Sequence, residues 1–286
     1  KGLIAEIALK EHEQGSVAQK IGDLYNLAMN TEKLNADGMT PIQGDLDKIN
    51  AIKDQAGIIE TMADLLGTAY FQFYVGADIM DSKMNIFQLH QGGLSLGQKD
   101  YYLDTDEATV HIREEYKKHI VRMFQLVGQD EKQATQSMEA VMEIETRLAK
   151  KAFSAVELRN PAANYHMLTL DEVKKQIPGF DWDAYLHAVG VKGVTSMNVS
   201  QIEPVKEAVA IINELPLEKQ KAYIQWKLIG RAAGCLSDEF VAEDFNFYGK
   251  VLSGKKEDQP RWKKAVGTVN AVLGEAVGQM YVEKYF

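Results

Sequence analysis

The last stretch of the chain, residues 258–286, constrains the fold more than any other part of the sequence. Pro260 suits the first turn of a helix, because a helix has no use for the N–H that proline lacks there. A helix that starts at this point places many apolar residues on one broad face, as a buried helix does. This face consists of Ala265, Val266, Val269, Val272, Leu273, Ala276, Val277 and Met280. We therefore predict a long helix that packs inside a large body.

Small residues follow a second line on another side of this helix. They are Gly267, Ala271, Gly274 and Gly278. Glycine inside a helix costs about 1 kcal/mol relative to alanine, so three glycines on one line predict that another backbone approaches closely. Only a narrow strip with Thr268, Glu275 and Gln279 is left for water. The pattern predicts a helix that is covered on most of its sides.

Both ends of the sequence lie inside regular patterns. Phe286 closes the helical pattern with no Gly, Asn or Pro to end it. Lys1 is not an initiator methionine, and an amphipathic pattern with Leu3, Ile4 and Ile7 begins directly after it. We therefore expect residues 1–286 to be a single helical lobe that is truncated at both ends, with any targeting segment missing.

The composition excludes several classes of protein. At 286 residues the chain can bury a large core, and 45% hydrophobic with 26% charged residues is typical of a globular protein rather than a disordered one. The formal net charge of -9 argues against nucleic-acid binding, which needs a basic surface. No apolar run approaches the length of a membrane span, so we predict no membrane contact from this region.

Helical periodicity dominates most of the chain. Ser16 is the predicted N-cap of an early helix, and Thr169 opens another with a partial capping pattern. Residues 35–44 are predicted as a loop. The other predicted helices span 45–53, 58–74, 106–128, 130–151, 181–189, 204–213, 217–234 and 237–252.

Residues 75–103 have a different character. Val75–Ile79 and Asn85–His90 flank a polar turn, which predicts two strands of a hairpin. A further short strand is predicted at Ser196–Ser200. There is no repeat of fixed period and no low-complexity linker. The predicted fold class is mainly α, a large multi-helix domain with a small β-hairpin element.

The residues alone predict no catalytic, cofactor-binding or metal site. Only His12 is followed by Glu, and Ser16 stands where the zinc-peptidase pattern His-Glu-x-x-His needs its second histidine. His111 and His119 are too far apart in sequence to form an i, i+4 metal pair. We expect each histidine to be a packed or surface residue.

Other candidate groups also favour structural roles. Cys235 is the only cysteine, so no internal disulfide bond and no cysteine zinc site can form. No Lys-Ser or Lys-Thr follows Gly97, so the glycines of residues 92–97 are predicted to serve turns rather than a phosphate loop. The carboxylate pairs Glu143 with Glu145 and Glu243 with Asp244 are predicted to lie on solvated helix faces. Asn198-Val199-Ser200 matches a glycosylation acceptor, a triplet that often arises by chance.

Several segments together resemble a known family. The first runs from Ala77-Asp78 through Asn85-Ile86 and Gln91-Gly92-Gly93-Leu94-Ser95-Leu96 to Asp100-Tyr101-Tyr102-Leu103. Glu143-x-Glu145, Arg159-Asn160, Phe247-Tyr248-Gly249 and Pro260-Arg261-Trp262-Lys263 follow in order, and the most specific match is Leu273 to Phe286. This set resembles the N-terminal region of the neprilysin and endothelin-converting-enzyme family of zinc metallopeptidases, in its bacterial branch. Gly97-Gln98 departs from the Pro-bearing turn of relatives, which puts only the shape of that turn in doubt.

The resemblance implies a two-lobed zinc metalloendopeptidase that hydrolyses peptides. In such relatives a mainly helical lobe faces a catalytic lobe, and the two enclose a cavity that admits peptides. The zinc ligands and the substrate-binding strand of relatives lie downstream of the position of Phe286, so the resemblance implies that the catalytic zinc lobe is absent here. Zinc is expected in the full-length parent and no cofactor in this chain. The expected partners are peptide substrates and the missing C-terminal lobe.

Two functions stay open at this point. One is the substrate-enclosing, non-catalytic lobe of a bacterial zinc endopeptidase, inactive by itself. The other is a free-standing helical binding or structural protein without a catalytic partner. The expected location is extracytoplasmic in a bacterium, in the periplasm, secreted or anchored to the cell envelope. The single cysteine does not decide the compartment, because bacterial secreted proteins often do without cysteine.

Overall fold

The computed structural model describes residues 2–65 and 69–286. Within them the protein is mainly helical with one small sheet, which confirms the predicted fold class. The chain divides into two compact units: the chain up to Pro41 together with Ala233–Phe286, and Ile42–Ala232. The prediction of one lobe over residues 1–286 stays a prediction. In the described part of the chain, no helix combines the length and the apolar character that a membrane crossing requires.

The regular elements are numbered here in chain order. The helices are α1 (Gly2–Ala8), α2 (Val17–Met29), α3 (Thr31–Asp37), α4 (Thr40–Asn50), α5 (Gln55–Asp64), α6 (Asp100–Leu103), α7 (Glu107–Leu126), α8 (Glu131–Lys151), α9 (Leu170–Gln176), α10 (Trp182–Ala188), α11 (Ile202–Glu214), α12 (Leu217–Ala232), α13 (Asp238–Asp244) and α14 (Arg261–Tyr285). The strands are β1 (Phe71–Ala77), β2 (Asn85–Gln91), β3 (Met167–Thr169) and β4 (Ser196–Val199). A π-helical segment, Phe245–Leu252, follows α13 directly.

Side-chain caps fix several helix starts where the sequence predicts them. The Ser16 hydroxyl accepts a hydrogen bond from the Gln19 N–H at 3.1 Å and so opens α2. Thr169 and Glu172 form a complete capping box at the start of α9. Both predicted caps are confirmed. Each satisfies N–H groups that the first turn of a helix leaves without a partner.

Two predictions in the first third of the chain are wrong. The predicted loop over residues 35–44 is largely helical, because α3 continues to Asp37 and α4 begins at Thr40. The predicted helix over residues 58–74 ends at Asp64, and its last residues belong to β1. Residues 66–68 of that prediction lie outside the described residues.

Long-range aromatic packing explains why β1 is a strand. Phe71 and Phe73 lie two residues apart, so they point to the same face of the sheet. Both rings pack against Tyr185 of α10, with centroid distances of 5.3 Å and 5.9 Å. Contacts between such distant parts of the sequence override a local helical pattern.

The sheet has the order β1-β2-β4-β3. β1 and β2 form the predicted hairpin, with Phe71 opposite Gln91 and Ala77 opposite Asn85, but β1 begins four residues before and ends two residues before the predicted strand Val75–Ile79. β4 confirms the predicted short strand and pairs in parallel with β2 and antiparallel with β3. The hairpin is therefore one half of a mixed sheet rather than an isolated element.

The helix α14 begins one residue after Pro260, close to the predicted start. Its residue Val269 lies in an apolar cluster with Ile4, Ile7 and Ile21, and other members of the predicted face are partly buried around this cluster. Val272, however, is 66% exposed. The predicted apolar face is therefore confirmed over part of its length.

The predicted close approach along the glycine line of α14 is wrong within the described residues. A Cβ atom built on Gly267, Gly274 or Gly278 would meet no other atom within 4 Å. Among the described residues of α14, only Ala265 and Val269 are buried, so the helix is not covered on most sides. A line of small residues permits another backbone to approach, but it does not require one.

Candidate binding cavity beside the hairpin

A cavity of about 470 Å³ lies next to the hairpin in the unit formed by Ile42–Ala232. Its wall consists of β1 with the residue before it, residues 90–97 at and after the end of β2, the end of α8, Leu158 and the start of α11. Among the described residues of the wall there is no Asp, Glu, Lys or Arg. The volume lies in the range of small-molecule and side-chain pockets, and the neutral wall favours an uncharged occupant.

Gly93 sits where no other residue fits. Its φ of 83° lies in the left-handed region that favours glycine. A Cβ atom on Gly93 would lie 2.4 Å from the Tyr223 hydroxyl and 3.0 Å from the Tyr70 nitrogen. Gly97 also has a positive φ, of 79°. The prediction that these glycines serve turns is confirmed at Gly97, whose N–H donates to the Leu94 carbonyl, whereas Gly93 is required by its φ and by the close approach of Tyr223 and Tyr70.

Tyr223 joins the chain before β1 to the chain after β2. Its hydroxyl donates a hydrogen bond to the Gly93 carbonyl oxygen at 2.9 Å and accepts one from the Tyr70 N–H at 3.2 Å. Burial raises the pKa of Tyr223 well above its ordinary value, so the hydroxyl keeps the proton that it donates. Tyr70 is held with a φ of 63°, an uncommon value for a residue with a side chain.

Gln91, the last residue of β2, fixes the opposite wall. Its side-chain amide donates to the Phe153 carbonyl at 3.1 Å and accepts from the Phe153 N–H at 2.7 Å. Its own N–H donates to the Gln201 side-chain oxygen at 2.9 Å. These bonds hold the chain after α8 and the start of α11 against the hairpin.

His90 adds a neutral ring to the cavity. The ring stacks on Tyr74 with a centroid distance of 5.1 Å and an interplanar angle of 10°. Burial lowers the pKa of His90 below its ordinary value of 6.5, because the imidazolium form loses hydration there. The cavity wall therefore stays uncharged at neutral pH.

A buried ion pair, Lys227 with Glu145, is hydrogen-bonded to Ser95 of the glycine-rich segment 92–97. The Lys227 ammonium donates to the Glu145 carboxylate at 2.7 Å, and the two side chains are 7% and 0% exposed. Ser95, Tyr102 and Tyr116 also donate to this carboxylate, at 2.6 Å, 2.7 Å and 2.8 Å. Burial lowers the pKa of Lys227, and the attraction of Glu145 opposes that shift. A charge this deeply buried is tolerable only with such partners.

Ser95 is a structural anchor in this cluster rather than a nucleophile. Its hydroxyl donates to Glu145 and accepts from the Lys227 ammonium at 2.7 Å. It also accepts at 3.0 Å from the Trp226 indole N–H, which it shares with the Tyr116 hydroxyl at 2.9 Å. With its proton and its lone pairs all engaged, the hydroxyl has none left for a substrate. The cluster therefore holds residues 92–97 in place for the cavity.

The predicted solvated faces of the carboxylate pairs are wrong at two positions. Glu145 is fully buried and Glu243 is 8% exposed. Glu143 fits the prediction better, because it forms a half-exposed ion pair with Lys219. The sequence does contain a sign of the burial of Glu145, since Val141 and Leu148 stand four before and three after it on the apolar side of α8.

The remaining residues of interest are dispersed. His111 and His187 are exposed, and His119 is buried against Trp226, as expected of packed or surface histidines. Asn198 of the glycosylation triplet is 4% exposed and donates to Gln88 at 2.8 Å, so it offers no surface acceptor. Cys235 is exposed.

No metal site is built from the part of the chain that the structure describes. No three or more of its His, Cys, Asp and Glu side chains lie close enough together to hold an ion. The donor set that a zinc enzyme needs, three protein ligands and an open position, therefore has no counterpart among residues 2–65 and 69–286.

Comparison with known proteins gives a consistent result. Endothelin-converting enzyme 1 of Rattus norvegicus is 27% identical over 226 residues, which are 76% of this chain and 29% of that enzyme. The zinc metalloprotease Zmp1 of Mycobacterium tuberculosis in its open state matches 100% of this chain and 45% of its own, with 29% identity and a TM-score of 0.93. PepO of Lactobacillus rhamnosis, at 18% identity and a TM-score of 0.79, shares the fold.

The chain thus spans less than half the length of the relatives it matches. The model of peptidase family M13 matches it over residues 1–286, and this confirms the resemblance to the endothelin-converting-enzyme family. The protein belongs to peptidase family M13 and represents the N-terminal region of that family.

Proposed function

We propose that residues 1–286 form the helical, non-catalytic lobe of a zinc-dependent metalloendopeptidase that hydrolyses peptides. In this proposal the lobe encloses the substrate, and the zinc with its ligands belongs to another part of the parent protein. The cavity beside the hairpin would then be part of the wall that faces the substrate.

One observation carries most of this proposal. The whole chain superposes on less than half of the zinc metalloprotease Zmp1, with a TM-score of 0.93. The absence of a clustered donor set among the described residues is in keeping with a zinc site located elsewhere. The names of the relatives, an endothelin-converting enzyme and a zinc metalloprotease, support peptides as the substrate class. No observation favours the free-standing binding protein.

Peptide cleavage by the parent protein and by residues 1–286 tests the proposal. Both are incubated with a synthetic pool of random-sequence decapeptides, with and without a zinc chelator, and the products are read by mass spectrometry. We expect chelator-sensitive cleavage by the parent and none by residues 1–286. Chelator-sensitive cleavage by residues 1–286 would contradict the proposal, as would a parent that cleaves nothing after zinc loading.

We also propose an extracytoplasmic location in a bacterium. A single cysteine is compatible with this location, because secreted bacterial proteins often do without disulfide bonds. Cell fractionation with an antibody against the lobe tests it, and recovery of the full-length protein in the cytoplasmic fraction alone would refute it.

A further inference from the structure

Among the described residues, the strand β1 forms an open edge of the sheet. It is the terminal strand in the order β1-β2-β4-β3. Its sequence, Phe-Gln-Phe-Tyr-Val-Gly-Ala, contains no charged residue and no proline. All seven of its residues pair in register with β2, so no bulge twists the edge away. Natural proteins usually protect an exposed edge with such devices, because an open edge pairs with other strands.

The hydrogen-bond alternation shows which backbone groups point outward. The Asp78 N–H donates to the Met84 carbonyl at 2.8 Å, directly beyond the last pair of the hairpin. Because bonded and non-bonded pairs alternate in an antiparallel ladder, every second residue of β1 counted from Asp78 bonds to β2. The residues that point their N–H and C=O groups away from β2 are therefore Phe73, Val75 and Ala77.

Two bonds on the far side of β2 confirm this alternation. Leu89, which lies opposite Phe73, uses its carbonyl to accept from the Ser200 N–H. Gln91, opposite Phe71, donates its N–H to Gln201. Within the described residues, no hydrogen bond reaches the outward groups of Phe73 and Val75. Val75 is also 51% exposed.

The cavity runs along this same strand. Gln72, Phe73 and Tyr74 all line it. Three consecutive lining residues place the cavity against the first half of β1, where Phe73 points its backbone groups away from β2. An edge with free N–H and C=O groups beside a neutral pocket is the arrangement by which sheets bind extended peptides: the edge binds the peptide backbone and the pocket takes a side chain.

We infer that the outer edge of β1 binds an extended peptide by strand addition, with one uncharged peptide side chain in the neighbouring cavity. The inference rests on the proposed function, because that function makes a peptide the expected occupant. It adds a second peptide contact, on the helical lobe, to whatever the catalytic part of the parent provides.

Val75→Pro in the full-length parent tests this edge. Proline removes the outward N–H of residue 75 but leaves the bonds to β2 intact, since proline is tolerated where a strand's N–H faces outward. Val75→Ala is the matched control, because it shortens the side chain and keeps the N–H. With the decapeptide pool as substrate, we expect Val75→Pro to raise the apparent KM about 5-fold over Val75→Ala with little change in kcat, as the loss of one hydrogen bond predicts.

Hydrogen exchange gives a second reading that needs no catalysis. In zinc-stripped full-length protein, the outward amides of Phe73, Val75 and Ala77 should exchange more slowly once the decapeptide pool is added, while the amides of Gln72, Tyr74 and Gly76, which already bond to β2, should not change. If Val75→Pro fails to fold, which its melting temperature would show, this exchange measurement still tests whether the edge of β1 binds peptide.

The outcomes separate the two proposals. If the wild-type parent cleaves no peptide, the proposed function fails, while slower exchange on peptide addition would still support the edge. If the parent cleaves and Val75→Pro behaves like Val75→Ala, the inference is overturned and the function stands. Protection of the outward amides of Phe73, Val75 and Ala77 without peptide would show that a second copy or another part of the parent covers the edge, and this also overturns the inference.

Discussion

Removal of the Lys227 ammonium should destabilise the protein far more than removal of an exposed lysine on the same helix. Lys227→Met leaves the fully buried Glu145 carboxylate without its counter-charge and with only its three hydroxyl donors. Breaking a buried pair from one side costs about 3–5 kcal/mol. The matched control is Lys219→Met, which breaks the half-exposed pair with Glu143 and should cost at most about 1 kcal/mol.

Thermal unfolding followed by tryptophan fluorescence measures this difference, since Trp226 lies in the cluster. For a domain of this size, 1 kcal/mol lowers Tm by about 2–4 °C. We therefore expect Lys227→Met to lower Tm by roughly 6–20 °C and Lys219→Met by less than about 4 °C. The double variant Lys227→Met with Glu145→Gln removes both charges and should recover part of the loss. Equal effects of the two lysine variants would refute the assigned role of the buried pair.

Three further changes follow from the structure. Gly93→Ala should lower stability by about 1–3 kcal/mol, because its methyl group meets the Tyr223 hydroxyl and its φ is left-handed; a denaturation midpoint equal to wild type would contradict this. Gly278→Ala should be neutral or stabilise residues 1–286 by up to about 1 kcal/mol, because an added methyl group at this position meets no neighbouring atom. A marked fall in Tm would instead show that another backbone packs closely against the glycine line of α14. Burial lowers the pKa of His90 below 6.5, so the unfolded state takes up this proton first as the pH falls, and stability present above pH 6.5 is lost below it. His90→Gln should reduce this loss of stability. Tm values of wild type and variant above and below pH 6.5 measure the loss, and an equal fall in Tm for both proteins would contradict the role of His90.

Local chemistry made much of the fold predictable. Ser16 and Thr169 mark helix starts because their hydroxyls satisfy N–H groups that the first turn leaves free. The hairpin could be predicted because two β-forming runs flank a polar turn. These features depend on neighbours within a few residues, which the sequence displays directly.

Features that depend on distant contacts were missed. The start of β1 follows a helical pattern in sequence, and its strand form comes from packing on Tyr185, more than a hundred residues away. The buried Glu145 carboxylate is paired with the Lys227 ammonium of another helix, and no local sequence pattern predicts that partner. The glycine line of α14 predicts a close contact that the described residues do not make. The cavity could not be predicted from the sequence either, because its wall combines five segments that are separated along the chain.

The zinc content of the purified proteins tests the central claim most directly. Residues 1–286 and the full-length parent are each loaded with excess zinc, freed of loosely bound metal by gel filtration and measured by plasma mass spectrometry. We predict no stoichiometric zinc on residues 1–286 and about one tightly bound ion on the parent, as a catalytic zinc site holds. Stoichiometric zinc on residues 1–286 would contradict the assignment of this chain as the non-catalytic lobe.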